Sequence, residues 1–453
     1  MTMASSITRR SVMVIEAHTP DEIRRKSDAK KVKNLRYWML SWLLLAGLLN
    51  YMDRSSVSIA APHMIEELGI TRTDIGLMGT VFSWTYAICQ LPAGYIIDKI
   101  GAKRMYFFAV GVWSIATALM SVGHNMGQFL SFRFLLGVGE SPNSPNSSKI
   151  TTEWFPREER GQASGIWDSG SKWGSAVAPP LLTVLSLALG WRAMFLIIGV
   201  LGLCLAVGFW AFYRSPEESK RLSDEEYRHI LAGRDDVTKP KQHLPWARFF
   251  TYRQTWGMML GFFTSIWIWN IFITFLPLFL QDTLGVSVAS TGWVAAVPYF
   301  VAAISGIYSG RITLKLARDR GMTSIRSKKS VLITACIGLG VLLVVVPFAH
   351  NLVVAVVILC LALGLVAAIQ SQSWALTSDI VPDTHVAQFG GIMNFGGYFG
   401  GALAPVVTGL IYDRTGSYTP TFIVAGGIAA LGALFYAVLV RKPIVAETGN
   451  QAL

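Results

Sequence analysis

The stretch GIWDSGSKWGSAVAP, Gly165 to Pro179, returns in altered form as GIMNFGGYFGGALAP, Gly391 to Pro405. Gly165, Gly170, Gly174, Ala178 and Pro179 align with Gly391, Gly396, Gly400, Ala404 and Pro405 at a constant offset of 226 (391 − 165). Upstream, Pro156 meets Pro382 at the same offset (382 − 156). Small residues four apart recur wherever membrane helices approach closely. A register shared over about 24 positions points beyond that, to a chain built of two related halves.

The rest of the chain says what the halves are made of. Of 453 residues, 52% are hydrophobic and only 15% charged, and the mean hydropathy is +0.46. A soluble globular protein carries about 25% charged residues. Crossing a bilayer takes about 20 largely apolar residues in a helix. Such runs recur near 37–60, 75–97, 105–122, 129–148, 160–183, 190–213, 255–280, 288–310, 329–349, 352–376, 388–412 and 419–440. The reading is an all-α polytopic membrane protein of twelve transmembrane helices in two six-helix pseudo-repeat halves. Its expected divisions are a basic tail over 1–36, a first half over 37–213, a linker over 214–253, a second half over 254–441 and a tail over 442–453. Parallel halves of this kind resemble the major facilitator fold, whose substrate site lies near the midplane between them.

The net charge of +12 is explained by topology and argues against a nucleic-acid partner. Nine Lys/Arg fall in 1–36, three in 98–104, nine in 214–253 and seven in 311–329, whereas the alternate loops hold little beyond Arg72, Arg192 and Arg414. The positive-inside rule then places both termini and the central loop in the cytoplasm, which for a bacterial chain means the inner membrane. No apolar stretch precedes Tyr37, so the tail reads as cytoplasmic rather than as a cleavable signal. Ser223 to Glu226 fits a capping box, predicting a short linker helix. Cys89, Cys204, Cys336 and Cys360 lie singly in apolar runs and suggest neither a disulfide framework nor a metal site.

Charges inside the apolar runs carry the chemistry. In LLNYMDRSSVSIAAP, Leu48 to Pro62, Asp53 and Arg54 stand about 24 Å into the first span at 1.5 Å per residue. The fourth span runs the other way, placing Arg133 about 6 Å and Glu140 about 16 Å in, seven residues apart and on one helix face. Ionisable groups at such depths are costly, and each is a functional-site candidate. Gly137 and Gly139 permit close helix approach, and Pro142 and Pro145 free backbone carbonyls that need partners. Burial penalises a charged carboxylate, which suits Glu140 to reversible protonation; the alternative is a fixed ion pair with Arg133 or Arg54. Asp53 and Arg54 are likewise either functional or a structural pair. In the fifth span Asp168 and Lys172 are one turn apart and either pair with each other or read substrate oxygens, with Ser171 beside them. Asn394 is the repeat counterpart of Asp168. Trp269, Asn270 and Thr274 in the seventh span, and Gln370, Gln372 and Ser373 in the tenth, are further polar candidates, for hydroxyl recognition or for helix packing.

The segments NYMDRSSVSIA, FSWTYAICQLPAGYIIDKIGAKR, RFLLGVGESP, EWFPREERGQASG and SPEES together resemble the anion:cation symporter branch of the major facilitator superfamily. More narrowly they are similar to its bacterial sugar-acid:proton symporters for hexonates, hexuronates and aldarates. The resemblance implies that Arg54 binds the substrate carboxylate and that Asp53 and Glu140 carry coupled protons bridged by Arg133. It further implies that Tyr86, with Tyr51 nearby, contacts substrate. A guanidinium suits that task because it binds both carboxylate oxygens at once and stays charged. Gly94, Asp98, Gly101 and Arg104 resemble the family's signature loop, in which the acid docks on a neighbouring helix and stabilises one alternating state. Gly310 stands where the second copy would carry its acid.

The expected function is therefore proton-coupled import of a sugar-acid anion, a hexonate such as a galactonate, by a monomer. No cofactor beyond the proton is expected, and lipid is the other partner. Rival readings are an organic or inorganic anion exchanger or facilitator of the same fold, and a transporter-like anion sensor without net flux. An enzyme is disfavoured, since no nucleophile–base pair, metal-ligand cluster or nucleotide loop stands in the needed context.

Overall fold

The computed structural model describes residues 31–156, 159–232, 246–381 and 385–444. Most of the basic tail, the middle of the linker, the last nine residues and Pro382 of the repeat lie outside the described residues. The helices are α1 (Leu35–Leu68), α2 (Arg72–Ile100), α3 (Ala102–Leu119), α4 (Met126–Glu140), α5 (Asn143–Trp154), α6 (Arg160–Leu189) and α7 (Trp191–Phe212). The linker holds α8 (Asp224–Ala232) and α9 (Trp246–Phe249). The second half is α10 (Arg253–Leu284), α11 (Val288–Asp319), α12 (Ser324–Val345), α13 (Leu352–Ile380), α14 (Val386–Gly401), α15 (Ala404–Thr415) and α16 (Thr419–Leu439). Among the described residues no strand forms; Val32 and Leu222 make an isolated bridge. Setting aside the linker helices and counting α4 with α5 and α14 with α15, the helices form twelve rods, and among the described residues nine are long and apolar enough to cross a membrane by length and composition alone. The runs that fall short are the polar-bearing rods of the first half, α1, α2 and α4–α5.

Local signals set the rods' ends. Thr71 and Asp74 form a full capping box at the start of α2. Asn125 and Asn351, 226 apart (351 − 125), cap α4 and α13, accepting from Gln128 N at 3.0 Å and Val353 N at 2.9 Å. Gly190 and Gly416, again 226 apart (416 − 190), both take positive φ at the turns after α6 and α15, a backbone that favours glycine. The repeat is thus written in caps and turns as well as in helix faces. Both breaks precede a proline-bearing segment: Ser141–Pro142 separates α4 from α5, and Ala402–Leu403 separates α14 from α15.

Packing is inverted relative to a soluble protein. Large apolar residues such as Tyr95, Leu314 and Val353 face outward, an apolar surface that only lipid covers comfortably. Asn50, Asp53, Arg133 and Glu140 lie inside. Twelve crossings return both ends to one side, called here the termini side. The opposite side is pinned between the halves. Arg72 binds Asp282 in a bidentate pair at 2.8–3.1 Å, and its guanidinium lies 4.3 Å over the Tyr412 ring. Thr73 N donates to Asp413 at 2.8 Å, and Tyr418 OH to Asp282 at 3.3 Å. Burial and then the Asp282 carboxylate push the Tyr418 phenol above its ordinary range, keeping it a donor. Gly76 and Gly409 let backbones touch here: a Cβ at Gly76 would stand 2.3 Å from the Pro405 carbonyl oxygen.

The linker helix differs from its sequence reading. Ser223 Oγ accepts from Glu226 N at 3.2 Å, but among the described residues the reciprocal half of the capping box is absent. Glu226 instead accepts from Leu35 N at 3.0 Å and Arg36 N at 3.2 Å. The start of α1 offers no side-chain cap of its own, because Asn34 sits in a left-handed conformation, so a carboxylate from α8 satisfies its free amides. Arg36 also pairs with Glu159 at 3.2 Å, which accepts from His229 at 2.7 Å.

Candidate functional site

Asp53 and Arg54 are neighbours in sequence but, about 100° apart on α1, they point differently. Arg54 reaches the bundle centre and donates from Nε to Glu140 Oε2 at 2.8 Å. Its guanidinium is sandwiched by aromatic rings, 4.8 Å from Tyr51, 5.1 Å from Phe82 and 4.7 Å from Tyr86. Such rings attract a cation electrostatically while excluding water. Asp53 faces α3, beside Thr117, within electrostatic range of Glu140, Arg133 and Arg54. The question the adjacent charges raise is answered by geometry: the partner of Arg54 is Glu140 and not Asp53.

Asp53, Arg133 and Glu140 are buried, and Arg54 is partly buried with its side chain 8% exposed. Arg133 is 3% and Glu140 0% exposed, and Gly137 and Gly139 bring α4 onto the backbones of α2 and α3, where any Cβ would clash. Their charges sum to zero, the condition under which buried ions are tolerated. The hydrogen bonding is incomplete, however. Asp53 Oδ1, Glu140 Oε1 and Arg133 Nε have no hydrogen-bond partner among the described residues. Unpaired buried oxygens of this kind cost free energy, and a proton on either carboxyl removes its charge. Arg133, implied as a bridge between the acids, lies in electrostatic range of both but hydrogen-bonds to neither.

A cavity of about 40 Å3 adjoins Arg54 on the side away from the termini, lined by both halves, with Ser58, Arg133, Trp269, Asn270, Thr274 and Tyr398 in its wall. On the termini side, Asp168 is exposed and pairs with Lys172 at 3.1 Å, and Lys172 also donates to Ser171 Oγ at 3.2 Å. Residues 165, 168 and 172 share a face of α6 distinct from the outward stripe of Trp173, Val177, Leu181 and Val184. Asp168 lies in electrostatic range of Tyr51, which ties this face to Arg54. An aromatic chain, Tyr51–Trp269 at 6.5 Å and Trp269–Tyr299 at 5.7 Å, continues into the second half.

Other expected residues are committed elsewhere. Pro405 has no N–H, so the Gly401 carbonyl four residues earlier loses its helical donor; Asn270 Nδ2 replaces it at 3.0 Å. Asn270 thus braces the α14–α15 break. Ser373 is fully buried against α16, bonded to Tyr436 OH at 2.7 Å, which is the packing alternative of its reading. Gln372 ties α13 to α11 through Thr313 at 2.9 Å and Ser309 at 3.0 Å, the packing alternative. Gln370 is half-buried. Asn394 donates to Gln90 Oε1 at 2.8 Å, joining the halves on the termini side of Arg54. Around the turn from α2 to α3, Asp98 in the last turn of α2 docks on α5 through Lys149 at 3.0 Å, Gly101 takes φ 85, Gly94 has open space beside it, and Arg104 at the start of α3 is exposed.

Sequence reasoning missed Asn50, Gln90 and Tyr398. Asn50 approaches Glu140 and sits one turn before Arg54 on the same face. Tyr398 packs 5.1 Å from Tyr86 and interacts with Arg54. The signal for it existed: the offset that pairs Asn394 with Asp168 pairs Tyr398 with Lys172 (398 − 172 = 226).

A sequence model of the Major Facilitator Superfamily matches residues 43–327 and 321–452, nearly the whole chain. The chain belongs to this superfamily. Its members are membrane transporters rather than enzymes. Among relatives, a probable L-galactonate transporter of Escherichia coli (strain K12) is 34% identical over 426 residues, covering 94% of this chain and 93% of the relative. A hexuronate transporter of Bacillus subtilis (strain 168) is 30% identical over 418 residues, covering 91% and 97%. The major facilitator fold itself is matched by the crystal structure of a bacterial homolog of the human lysosomal transporter Spinster, with a TM-score of 0.72 at 19% identity over 91% of this chain and 98% of that one. The sugar-acid resemblance and the twelve-helix fold therefore hold at the level of family and architecture.

Proposed function

We propose that this transporter is a proton-coupled symporter of the bacterial inner membrane that imports a sugar-acid anion, a hexonate such as L- or D-galactonate, by alternating access. Both termini face the cytoplasm, the monomer is the working unit, and the proton is the coupling ion. The observation that carries this reading is the Arg54–Glu140 pair at 2.8 Å, buried under aromatic rings at the seam between the halves. A carboxylate ligand and Glu140 compete for one guanidinium. Protonation of Glu140, with Asp53 as the second acceptor, frees Arg54 for the substrate carboxylate, which it binds through two parallel N–H···O bonds. Loss of substrate and proton restores the internal pair. Aromatic faces at Tyr51, Tyr86, Trp269 and Tyr398 suit the apolar faces of a sugar chain. Asn394, Gln90, Lys172 and Asp168 suit its hydroxyls. The sugar-acid transporters among the relatives support the substrate class.

The test is uptake into proteoliposomes under an inward proton gradient, across hexonates, hexuronates and aldarates. Wild type is expected to accumulate one acid; Glu140→Gln, unable to release a proton, is expected to exchange it without concentrating it. Accumulation by Glu140→Gln at the wild-type level would refute the coupling scheme.

A further inference from the structure

A second set of charges lies far from the bundle centre, on the termini side. Lys103 begins α3, and its Nζ lies 4.9 Å over the ring of Trp210 near the end of α7. Arg214 follows one turn after Trp210 and is anchored by Nη1 bonds to the Trp210 carbonyl at 3.2 Å and the Tyr213 carbonyl at 2.7 Å. Arg214 lies within range to repel Lys103. Glu218 is the acid within reach, but among the described residues no hydrogen bond or ion pair engages the Lys103 ammonium. Two cations are thus held side by side with donors to spare, an arrangement that calls for a shared anion.

The surface leading to them is apolar and continuous. Leu196, Val200, Val207 and Trp210 recur at helical spacing along the exposed face of α7, Val207 being 61% and Trp210 41% exposed, and the same stripe ends at Arg214. On α3, Phe107 packs 5.0 Å from Trp210. One turn further, a Cβ on Gly111 would meet nothing within 4 Å, so the helix leaves a notch beside that ring pair. An interfacial Trp flanked by basic groups marks headgroup depth, and basic pockets between helices on the cytoplasmic side select anionic headgroups.

We propose that the cleft between α3 and α7 binds an anionic phospholipid, with Lys103 and Arg214 holding the headgroup phosphate and an acyl chain lying along Gly111, Phe107 and Val207. The unbroken run from cation pair to apolar notch is what favours a lipid over a free phosphate ion.

The experiment uses the full chain purified in detergent. Native mass spectrometry would count bound phosphatidylglycerol, phosphatidylcholine and inorganic phosphate for wild type and for Lys103→Gln with Arg214→Gln. Thermal unfolding would be followed in liposomes with and without phosphatidylglycerol. At roughly five-fold for each cation, wild type should prefer phosphatidylglycerol about twenty-five-fold, falling to near parity in the double variant. The double variant should unfold at the wild-type temperature in pure phosphatidylcholine. If the double variant misfolds, Gly111→Leu, which fills the notch and keeps both cations, should still lower retained phosphatidylglycerol. Retention of the preference in the double variant, no effect of Gly111→Leu, or displacement of the lipid by inorganic phosphate would each overturn the proposal.

Discussion

Replacing Arg72 with Ala removes the clasp on the side opposite the termini, and its size follows from two contacts. The bidentate pair with Asp282 is about one-fifth exposed on each side, with side-chain exposures of 22% and 20%. An ion pair that wet is worth about 1 kcal/mol. The guanidinium over Tyr412, at 4.3 Å, adds about 0.5–1 kcal/mol. The total bias toward the closed arrangement is then about 1.5–2 kcal/mol, or roughly ten- to thirty-fold in the ratio of closed to open states, at 1.4 kcal/mol per tenfold. Ser58 lines the cavity that this clasp covers and is 3% exposed. With the four native cysteines replaced, Ser58→Cys should react with an impermeant maleimide roughly ten- to thirty-fold faster when Arg72→Ala is added, at the exchange-limited rate set by the open population. Asp282→Asn should give most of the same increase, and the two together little more, because both delete one interaction. An unchanged labelling rate in Arg72→Ala, or full additivity of the pair, would sink this account of the clasp.

Two further outcomes follow from the same region. Gly76→Ala puts a methyl 2.3 Å from the Pro405 carbonyl oxygen, backbone that has no room to yield. It should hold this side open, raising Ser58→Cys labelling and abolishing accumulation while the protein still reaches the membrane. Asn270→Ala leaves the Gly401 carbonyl unpaired and should cost about 1–3 kcal/mol of stability, read as a lowered thermal midpoint. In a Pro405→Ala background, where residue 405 regains its N–H, the same change should cost far less; equal costs in both backgrounds would show that Asn270 acts otherwise.

The architecture was legible because membrane insertion writes it in one dimension. Apolar run lengths, the lysine and arginine asymmetry and the 226-residue offset are all properties of sequence order. Charge depth along a span is equally one-dimensional, so sequence order places Asp53, Arg54 and Arg133 at similar depth with Glu140 deeper, and the structure holds the four within electrostatic range of one another. Which charge pairs with which depends on azimuth and helix packing, and so the adjacency of Asp53 and Arg54 was a poor guide to partners. Small polar side chains are the least readable. Asn270 and Ser373 look alike to a reader of polar residues in apolar spans, yet one repairs a proline-broken helix and the other bonds to Tyr436. Neither duty leaves a local pattern, because the partner lies 131 or 63 residues away. Tyr398 was missed although the repeat offset reaches it from Lys172, since a tyrosine and a lysine share no obvious identity.

The Glu226 cap on α1 changes where this chain could be divided. A polypeptide cut just after α7 would send Glu226 to the second fragment and strip the Leu35 and Arg36 amides of their acceptor. It would also sever the link from Val32 N to the Arg221 carbonyl at 2.9 Å. A cut beyond Ala232 keeps the start of α1, Glu159, His229 and Glu226 on one fragment. For anyone assembling the transporter from co-expressed halves, or inserting a reporter between them, α8 belongs with the helices that precede it.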